Sequence, residues 1–200
     1  MLAGGEGLRL GQPKARLVLA GEPLLHRVLR ALHQITERLL VVATPGQELT
    51  LPSGLAATVV RDLVAGQGPQ MGLYTGLRAS ETEHNLVVGC DLPFLNLGLL
   101  GYLLSLAPGY DAVVPCPGGA PQQLHAVYAR SCLGPLESLL GEGNRKLGLL
   151  LSRVRVRSVE DEELAQYDPQ GCSFFNVNTA EDLAQAHSLV LAPSTAERAG

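Results

Sequence analysis

Aromatic residues are scarce in this 200-residue chain: they make up 4% of it, and there is no tryptophan. The core must therefore be built from aliphatic side chains, which favours a layered α/β protein over an aromatic-rich sandwich. A chain of this length suits one domain and can bury well over half of its unfolded surface. We expect a single domain over residues 1–190 and a frayed tail over residues 191–200.

The chain also lacks a large excess of charge of either sign and closely spaced pairs of cysteines. The formal net charge is −4, and the 15 basic and 19 acidic residues are mixed along the chain, which argues against a nucleic-acid binder with a basic stripe. The four cysteines form no CxxC pair, so they indicate buried, reduced thiols rather than a zinc or redox motif. The sequence shows neither a signal-peptide pattern nor an apolar run of about 18 residues, and we expect a cytoplasmic protein with no membrane partner.

Short apolar runs alternate with helical periodicity, which is typical of βαβ units. The pattern predicts buried strands at residues 39–43, 57–61, 86–91 and 111–115, and helices at residues 23–35, 71–80 and 96–106. These elements predict a three-layer α/β/α fold with a mostly parallel sheet. Ligands bind at the carboxyl ends of the strands in such sheets, so the loops after Ala3, Arg61, Cys90 and Phe175 should gather at one edge.

The pattern changes in the last third of the chain and indicates a mixed part of the sheet. Residues 122–129 alternate less cleanly, two leucine-rich helical segments follow, and residues 154–159 alternate strictly, as a half-exposed strand does. Residues 174–190 are interpreted as a strand that runs into a helix. Thr179 is the predicted N-cap of that helix, with Asp182 three residues later.

The stretch "LAGGEGLRLGQPK", residues 2–14, is rich in glycine and ends in cations. It fails the GxGxxG pattern because position 10 is Leu10, and it fails the P-loop pattern because Lys14 is followed by Ala15. Its glycines nevertheless allow backbone N–H groups to turn towards an anion that Arg9 and Lys14 could neutralise. A plain glycine-rich turn with solvated cations is the alternative, and the glycine density after a strand-like start favours phosphate binding.

Four motifs resemble those of the molybdenum cofactor guanylyltransferases, the MobA family. "LAGGEGLRLGQPK" is similar to the LAGG-x-x-x-R-M-G-x-x-K signature, and "RDLVAGQGPQMGLYTGL" is similar to D-x-x-x-x-x-G-P-L-A-G-L. "VVGCDLPFL" matches C-D-x-P-F-L, and "NVNTAEDLAQA" matches N-V-N-T-P-E-D-L. The motifs occur in the family's order from Leu2 to Ala186, and the resemblance implies a Rossmann-like nucleotidyltransferase fold.

The resemblance also implies an activity. The family transfers GMP from GTP to molybdenum-molybdopterin, releases pyrophosphate and uses Mg²⁺. GTP and molybdenum-molybdopterin are then the expected partners, together with transient contacts to cofactor-insertion proteins or apo-molybdoenzymes. Transfer of this kind depends on charge neutralisation and alignment more than on a covalent catalyst.

Asp91, Lys14 and Arg9 are the catalytic residues that the resemblance implies. Asp91 ends a buried strand and would hold Mg²⁺ against the triphosphate; by itself the sequence fits equally an aspartate that caps a turn. Lys14 and Arg9 would stabilise charge on the leaving pyrophosphate. The alternative for both is a surface cation.

The remaining candidates surround these three. Leu2, Ala3, Gly4 and Gly5 would bring the backbone up to the guanine and ribose. The chain has LAGG where the cytidylyltransferase branch has LAAG, which favours GTP by analogy. Asp62 follows a strand and would contact the nucleotide, although an ordinary turn aspartate is a serious alternative.

Asn176 and Asn178 stand two residues apart, so on a strand both would face the same way and could bind the pterin. Two turn-forming asparagines ahead of a helix are the alternative, and the residues alone favour it. His125 could line the same pterin-binding cleft, but a histidine packed within the sheet is the favoured interpretation. Arg145 matches a loop of the family near the acceptor only weakly.

Several departures from the family are visible. Gln70 and Met71 stand where the family has Leu and Ala, and Thr44 stands where it often has Asn. Only Met1 precedes LAGG where the family has a hydrophobic strand, so we expect a nearly absent first strand and a start assigned too late. A relative that uses CTP or another phosphorylated acceptor, and a truncated inactive nucleotide-binding protein, are the alternative functions.

Overall fold

The computed structural model describes residues 1–4, 13–62, 64 and 66–191. The strands in this part of the chain are β1 (Val18–Leu19), β2 (Glu22–Pro23), β3 (Leu40–Ala43), β4 (Thr58–Arg61), β5 (His84–Val88), β6 (Ala112–Pro115), β7 (His125–Ala129) and β8 (Val156–Val159). The α-helices are α1 (Leu24–His33), α2 (Gly68–Ala79), α3 (Leu97–Ser105), α4 (Leu133–Gly141), α5 (Gly148–Leu151), α6 (Asp161–Leu164) and α7 (Ala180–Leu191). The predicted tail lies outside the described residues from residue 192 onwards.

The sheet is parallel in its first half and mixed in its second. β3 and β4 pair in parallel, with Leu40 opposite Thr58. The other half has the order β5-β7-β6-β8, in which β7 runs antiparallel to both of its neighbours and β6 is parallel to β8. β1 and β2 form a separate two-stranded antiparallel ribbon. The predicted mixed C-terminal part is confirmed.

Residues at the start of the chain join the two halves of the sheet. Leu2 pairs in parallel with both Val42 and Gly89. Its N–H donates to the Val88 carbonyl at 2.8 Å, and the Ala3 N–H donates to the Val42 carbonyl at 2.8 Å. The first strand is thus reduced to single-residue bridges, as the sequence predicts, yet it fixes β3 and β5 in parallel on either side of Leu2.

Helices cover both faces of this sheet and bury an aliphatic core. On one face, α2, α4 and α5 contribute Leu73, Leu77, Leu136, Leu139 and Leu150. On the other, α1 and α3 contribute Leu25, Val28, Leu29, Leu32, Leu99, Leu100 and Leu103. The three-layer prediction is confirmed. No helix of the described ranges is both long and apolar enough to pass through a bilayer.

The strand predicted within residues 174–178 is wrong. Cys172–Phe174 form a 3-10 turn, and residues 175–178 are irregular. A single backbone hydrogen bond, from the Val177 N–H to the Asp91 carbonyl at 2.9 Å, fixes this segment to the loop after β5. A strand requires a series of backbone hydrogen bonds to a neighbouring strand. This segment makes only one such bond to the loop after β5, so it does not form a strand.

Candidate active site

Asp91 lies where the chain leaves β5, at the edge formed by the carboxyl ends of the parallel strands. The Cys90 N–H donates to the Leu2 carbonyl at 3.1 Å, and the Asp91 carbonyl accepts from the Val177 N–H. The backbone around Asp91 is therefore bound to the start of the chain on one side and to residues 175–178 on the other. The loops after Cys90 and Phe175 therefore meet beside Leu2, as predicted, whereas residues 5–12 of the loop after Ala3 lie outside the described residues.

Three side chains from distant parts of the sequence meet at this edge. Lys14, at the start of the 3-10 turn Lys14–Arg16, points its Nζ at Asp91 Oδ2, 2.7 Å away. The same Nζ donates to Asn178 Oδ1. The side chains of Lys14 and Asp91 are 20% and 16% exposed, so the ion pair is shielded from solvent but can still be reached.

Gly89 makes room for the Asp91 carboxylate. A Cβ placed on Gly89 would collide with Asp91 Oδ1 and would also contact the Leu124 side chain at 3.8 Å. The carboxylate therefore folds back over the end of β5 because residue 89 has no side chain. Larger residues at this position would push the carboxylate away from Lys14.

The position of Asn178 is set by the start of α7. The Asp182 carboxylate accepts from the N–H groups of Asn178 and Thr179, both at 2.8 Å, and the Asp182 N–H donates to Thr179 Oγ1 at 3.1 Å. This reciprocal pair confirms Thr179 as the predicted cap. The bonds, above all the one from Asn178, lower the pKa of Asp182, so the carboxylate that holds this segment stays ionised.

The donor set around Lys14 suits a hard divalent cation. Two oxygens, one from a carboxylate and one from an amide, already converge on the positively charged ammonium of Lys14. The described residues contain no group of three or more His, Cys, Asp or Glu side chains that could enclose an ion. Mg²⁺ does not require such a group, because it commonly uses one or two carboxylates with substrate phosphates and water.

A second corner of the edge is built around Ala3 and Gly4. The Gln47 side-chain amide donates to the Ala3 carbonyl at 3.0 Å, and its oxygen accepts from the N–H and the hydroxyl of Thr44, both at 3.1 Å. A Cβ on Gly4 would lie 3.2 Å from Thr44 Cγ2. The backbone of Ala3 and Gly4 is thus close to the turn after β3.

Asp62 follows β4 at the same edge. Its N–H donates to the Ala43 carbonyl at 2.8 Å, while its Oδ1 is buried and has no hydrogen-bond partner among the described residues. Burial raises the pKa of the Asp62 carboxyl; Thr75 lies near it without the geometry of a hydrogen bond and offsets this only partly. A buried carboxylate oxygen without a partner is a good acceptor for a ligand hydroxyl.

Other predicted residues are placed differently. Gly5 and Arg9 lie outside the described residues. Residues 175–178 form no strand that would place Asn176 and Asn178 on one face, and the Asn176 amide donates to the Phe174 carbonyl at 3.1 Å. The Arg145 guanidinium donates a hydrogen bond to the carbonyl of Gly66, just before α2, at 3.4 Å.

His125 is 1% exposed, and its Nδ1 donates to the Ser173 carbonyl at 3.2 Å. Burial lowers its pKa to about 4, so the imidazole is neutral at pH 7. Its ring packs on Phe174, with the centroids 4.9 Å apart.

Gln47 contacts the candidate site through Ala3, and nothing in the sequence indicates it. It lies in "ATPGQE", which reads as an ordinary turn after a strand. Its partner Ala3 is 44 residues away, and no local pattern links the two. A glutamine directly after a Pro-Gly turn gives no signal by itself.

Comparisons with known proteins identify the family of the chain. Residues 1–156 match the model of the MobA-like NTP transferase domain. A probable molybdenum cofactor guanylyltransferase of Pelotomaculum thermopropionicum is 36% identical over 186 residues, which cover 93% of this chain and 89% of that protein. A molybdenum cofactor guanylyltransferase of Desulfosudis oleivorans is 31% identical and covers 96% of this chain and 95% of that protein.

Solved structures share the fold. The crystal structure of molybdopterin-guanine dinucleotide biosynthesis protein A from Archaeoglobus fulgidus superposes with a TM-score of 0.79 at 31% identity, over 94% of this chain and 96% of that chain. A 2-C-methyl-D-erythritol 4-phosphate cytidylyltransferase from Thermus thermophilus has a TM-score of 0.71 at 22% identity, covers 89% and 94% of the two chains, and supports the fold alone. The chain belongs to the MobA-like NTP transferase family and is a nucleotidyltransferase.

Proposed function

We propose that this protein transfers GMP from GTP to molybdenum-molybdopterin, which yields the molybdopterin guanine dinucleotide cofactor and pyrophosphate. The family and the names of the relatives that match over almost the whole chain support this reaction. One observation of the structure carries it furthest: the cluster of Lys14, Asp91 and Asn178 at the carboxyl edge of the sheet.

The reaction itself needs alignment and charge compensation. An oxygen of the terminal phosphate of molybdopterin attacks the α-phosphorus of GTP, the bond from that phosphorus to the α–β bridging oxygen breaks, and pyrophosphate leaves with the electron pair. Negative charge moves to the leaving group as this bond breaks. Lys14 is placed to stabilise that charge, because its ammonium lies at the edge where the triphosphate would enter.

Asp91 and Asn178 would supply oxygens to a divalent cation, which we propose to be Mg²⁺. Bound there together with the triphosphate, Mg²⁺ would neutralise phosphate charge and orient the phosphates. In the free protein the Asp91 carboxylate is neutralised by Lys14. A triphosphate offers Lys14 another anionic partner, and this exchange leaves the carboxylate available.

The nucleoside would lie beside the second corner. We assign the backbone of Leu2, Ala3 and Gly4 to the base and ribose, and Asp62 to a ribose hydroxyl, because its buried oxygen lacks a partner among the described residues. Asn176 and Asn178 remain the candidates for the pterin side. Since Asn178 already contacts Lys14, it would stand where the two substrates meet.

Two further proposals concern the compartment of the reaction and the proteins that receive the product. We place the reaction in the cytoplasm. We expect transient contacts with cofactor-insertion proteins or apo-molybdoenzymes, which would take up the product. Co-purification of such a protein with the product-bound enzyme would test the second proposal.

The test is a single-turnover assay with GTP, Mg²⁺ and molybdenum-loaded molybdopterin. The proposed function predicts stoichiometric pyrophosphate and a guanine dinucleotide product identified by mass spectrometry, with no product from CTP. Product from CTP instead of GTP would assign the protein to the cytidylyltransferase reaction. No turnover with either nucleotide, from a protein that binds GTP, would show an inactive binding protein.

A further inference from the structure

The turn after β3 is closed by several independent contacts. The Gln47 N–H donates to the Thr44 carbonyl at 3.1 Å, and Gly46 has a φ of 76°, which favours glycine. At the end of β4, the Arg61 guanidinium donates to the Gln47 carbonyl at 2.8 Å and to the Thr44 carbonyl at 3.4 Å. The turn is therefore folded back over the carboxyl edge rather than extended into solvent.

The chemistry of its neighbours fixes the orientation of the Gln47 amide. The Ala3 carbonyl can only accept a hydrogen bond, so the group 3.0 Å from it must be the NH₂ of Gln47. The Thr44 N–H can only donate, so the group 3.1 Å from it must be the amide oxygen. The two contacts agree, and a rotated amide would oppose both.

In this orientation the Gln47 amide can still donate one hydrogen bond but can accept none from a ligand. Its oxygen has two lone pairs, and these accept from the N–H and the hydroxyl of Thr44. Its nitrogen has two hydrogens, and the Ala3 carbonyl takes one of them. Within the described part of the chain, Gln47 can therefore offer a ligand one N–H donor and no acceptor.

This N–H donor lies at the second corner, beside the backbone of Ala3 and Gly4 to which the base and ribose are assigned. Gln47 is half-buried and its side-chain amide donates to the Ala3 carbonyl. The next residue, Gly4, is also close to this turn, because a Cβ added to Gly4 would lie 3.2 Å from Thr44 Cγ2. A base that approaches the backbone of Ala3 and Gly4 comes to the same corner. A fixed donor there suits an exocyclic oxygen and opposes an exocyclic amino group, which would face donor with donor.

We propose that Gln47 determines base specificity by donating its free N–H to the 6-oxo group of a purine. This inference rests on the proposed function, since it deepens the choice of GTP. Guanine and hypoxanthine carry the 6-oxo group, whereas 2,6-diaminopurine keeps the 2-amino group of guanine and replaces the oxygen with an amino group. The analogue also turns N1 from a donor into an acceptor, so the wild-type preference reports both positions, and the change in that preference on removal of the Gln47 donor reports the 6-position.

The experiment measures the binding of three triphosphates in the presence of Mg²⁺ by calorimetry: GTP, ITP and 2,6-diaminopurine riboside triphosphate. The wild-type protein should bind GTP and ITP at least about tenfold more tightly than the diaminopurine analogue. In Gln47→Leu, which keeps much of the side chain's bulk but has no donor, the affinity for GTP and ITP should fall about tenfold and that for the analogue should not fall. Gln34→Leu, on the exposed C-terminal end of α1, is the matched control and should bind as the wild type does.

Two outcomes would overturn the proposal. An equal loss of affinity for all three triphosphates in Gln47→Leu would show that Gln47 only holds the turn. A wild-type protein that binds GTP and the diaminopurine analogue equally would overturn it without any variant, even if Gln47→Leu failed to fold. Turnover with GTP and molybdopterin combined with either result would refute the role of Gln47 and leave the proposed function standing.

Discussion

Asp91 and Asp168 are both aspartates attached to the segment 172–178, yet they are held by different kinds of partners. The Asp168 carboxylate is 9% exposed and accepts from the backbone N–H groups of Cys172 and Ser173, at 3.2 and 2.8 Å. The Asp91 carboxylate is paired with the tip of the long, flexible Lys14 side chain. Backbone partners cannot leave without unfolding the segment, whereas a lysine can exchange one anion for another.

The comparison shows how one segment combines a fixed part and an exchangeable part. Asp168 anchors Ser173, whose carbonyl accepts from buried His125 and whose hydroxyl accepts from the Asn96 N–H at 3.1 Å. Five residues further on, Asn178 reaches Lys14. Substitutions should therefore separate into those that stop chemistry and leave stability nearly unchanged, and those that do the reverse.

The largest effect is expected for Asp91→Asn. This change keeps the shape of the side chain and removes its charge, so turnover should fall by about a thousandfold or more. The free energy of unfolding should change by about 1 kcal/mol or less, because the oxygen of the asparagine can still accept a hydrogen bond from Lys14. Steady-state pyrophosphate release and urea unfolding measure the two quantities. A variant that keeps a tenth of the wild-type rate would contradict the role of Asp91.

Lys14→Met should lower kcat/KM for GTP about a hundredfold, since the triphosphate loses its ammonium partner. The same change leaves the Asp91 carboxylate without its cation, so binding of Mg²⁺ in the absence of nucleotide should become tighter. Kinetics and Mg²⁺ titration measure these effects. Arg16→Met is the matched control, because Arg16 lies on the same 3-10 turn and its side chain is 60% exposed. Weaker Mg²⁺ binding in Lys14→Met would argue against the exchange.

Asp168→Ala should do the opposite. Two buried backbone N–H groups lose a charged acceptor, and the free energy of unfolding should fall by about 2–3 kcal/mol. Well below its melting temperature, the variant should keep kcat within about tenfold of the wild type. Glu162→Ala, on exposed α6 surface, serves as the control for stability. Loss of turnover as severe as that of Asp91→Asn would end the distinction between the two aspartates.

A smaller effect concerns pH. The folded protein holds the pKa of His125 at about 4 through burial, below the value of about 6.5 in an unfolded chain. The unfolded state therefore binds more protons between these values, and stability falls as the pH falls through this window. Between pH 7.5 and 5.5 the loss from this group should be about 1 kcal/mol. His125→Phe should remove that part of the slope; identical pH profiles of wild type and variant would contradict it.

Much of the fold could be predicted because each element has its own local signal. The strands from β3 to β6 are short apolar runs, and α1 carries a regular apolar stripe that contacts the sheet through Val28 and Leu29. Thr179 and Asp182 form a cap within four residues, so the start of α7 was also predictable. Two alternating asparagines predict a strand at residues 175–178, but they cannot reveal whether a neighbouring strand exists.

The site was predictable only where a motif marked it. The family resemblance pointed to Lys14 and Asp91, but their contact spans 77 residues and no periodicity predicts it. Asn178 was expected on the pterin side, and its contact with Lys14 depends on the cap at α7. Gln47 had no signal, because its proposed role depends on contacts with Ala3 and Arg61, which come from two other parts of the sheet.

The most direct test of the central claim is the Mg²⁺ dependence of GTP affinity in the wild type and in Asp91→Asn. If Lys14 exchanges Asp91 for the triphosphate and the carboxylate then holds the cation, Mg²⁺ should tighten GTP binding to the wild type by about tenfold or more. In Asp91→Asn, GTP should bind equally with and without Mg²⁺. An undiminished effect of Mg²⁺ on the variant would contradict the account.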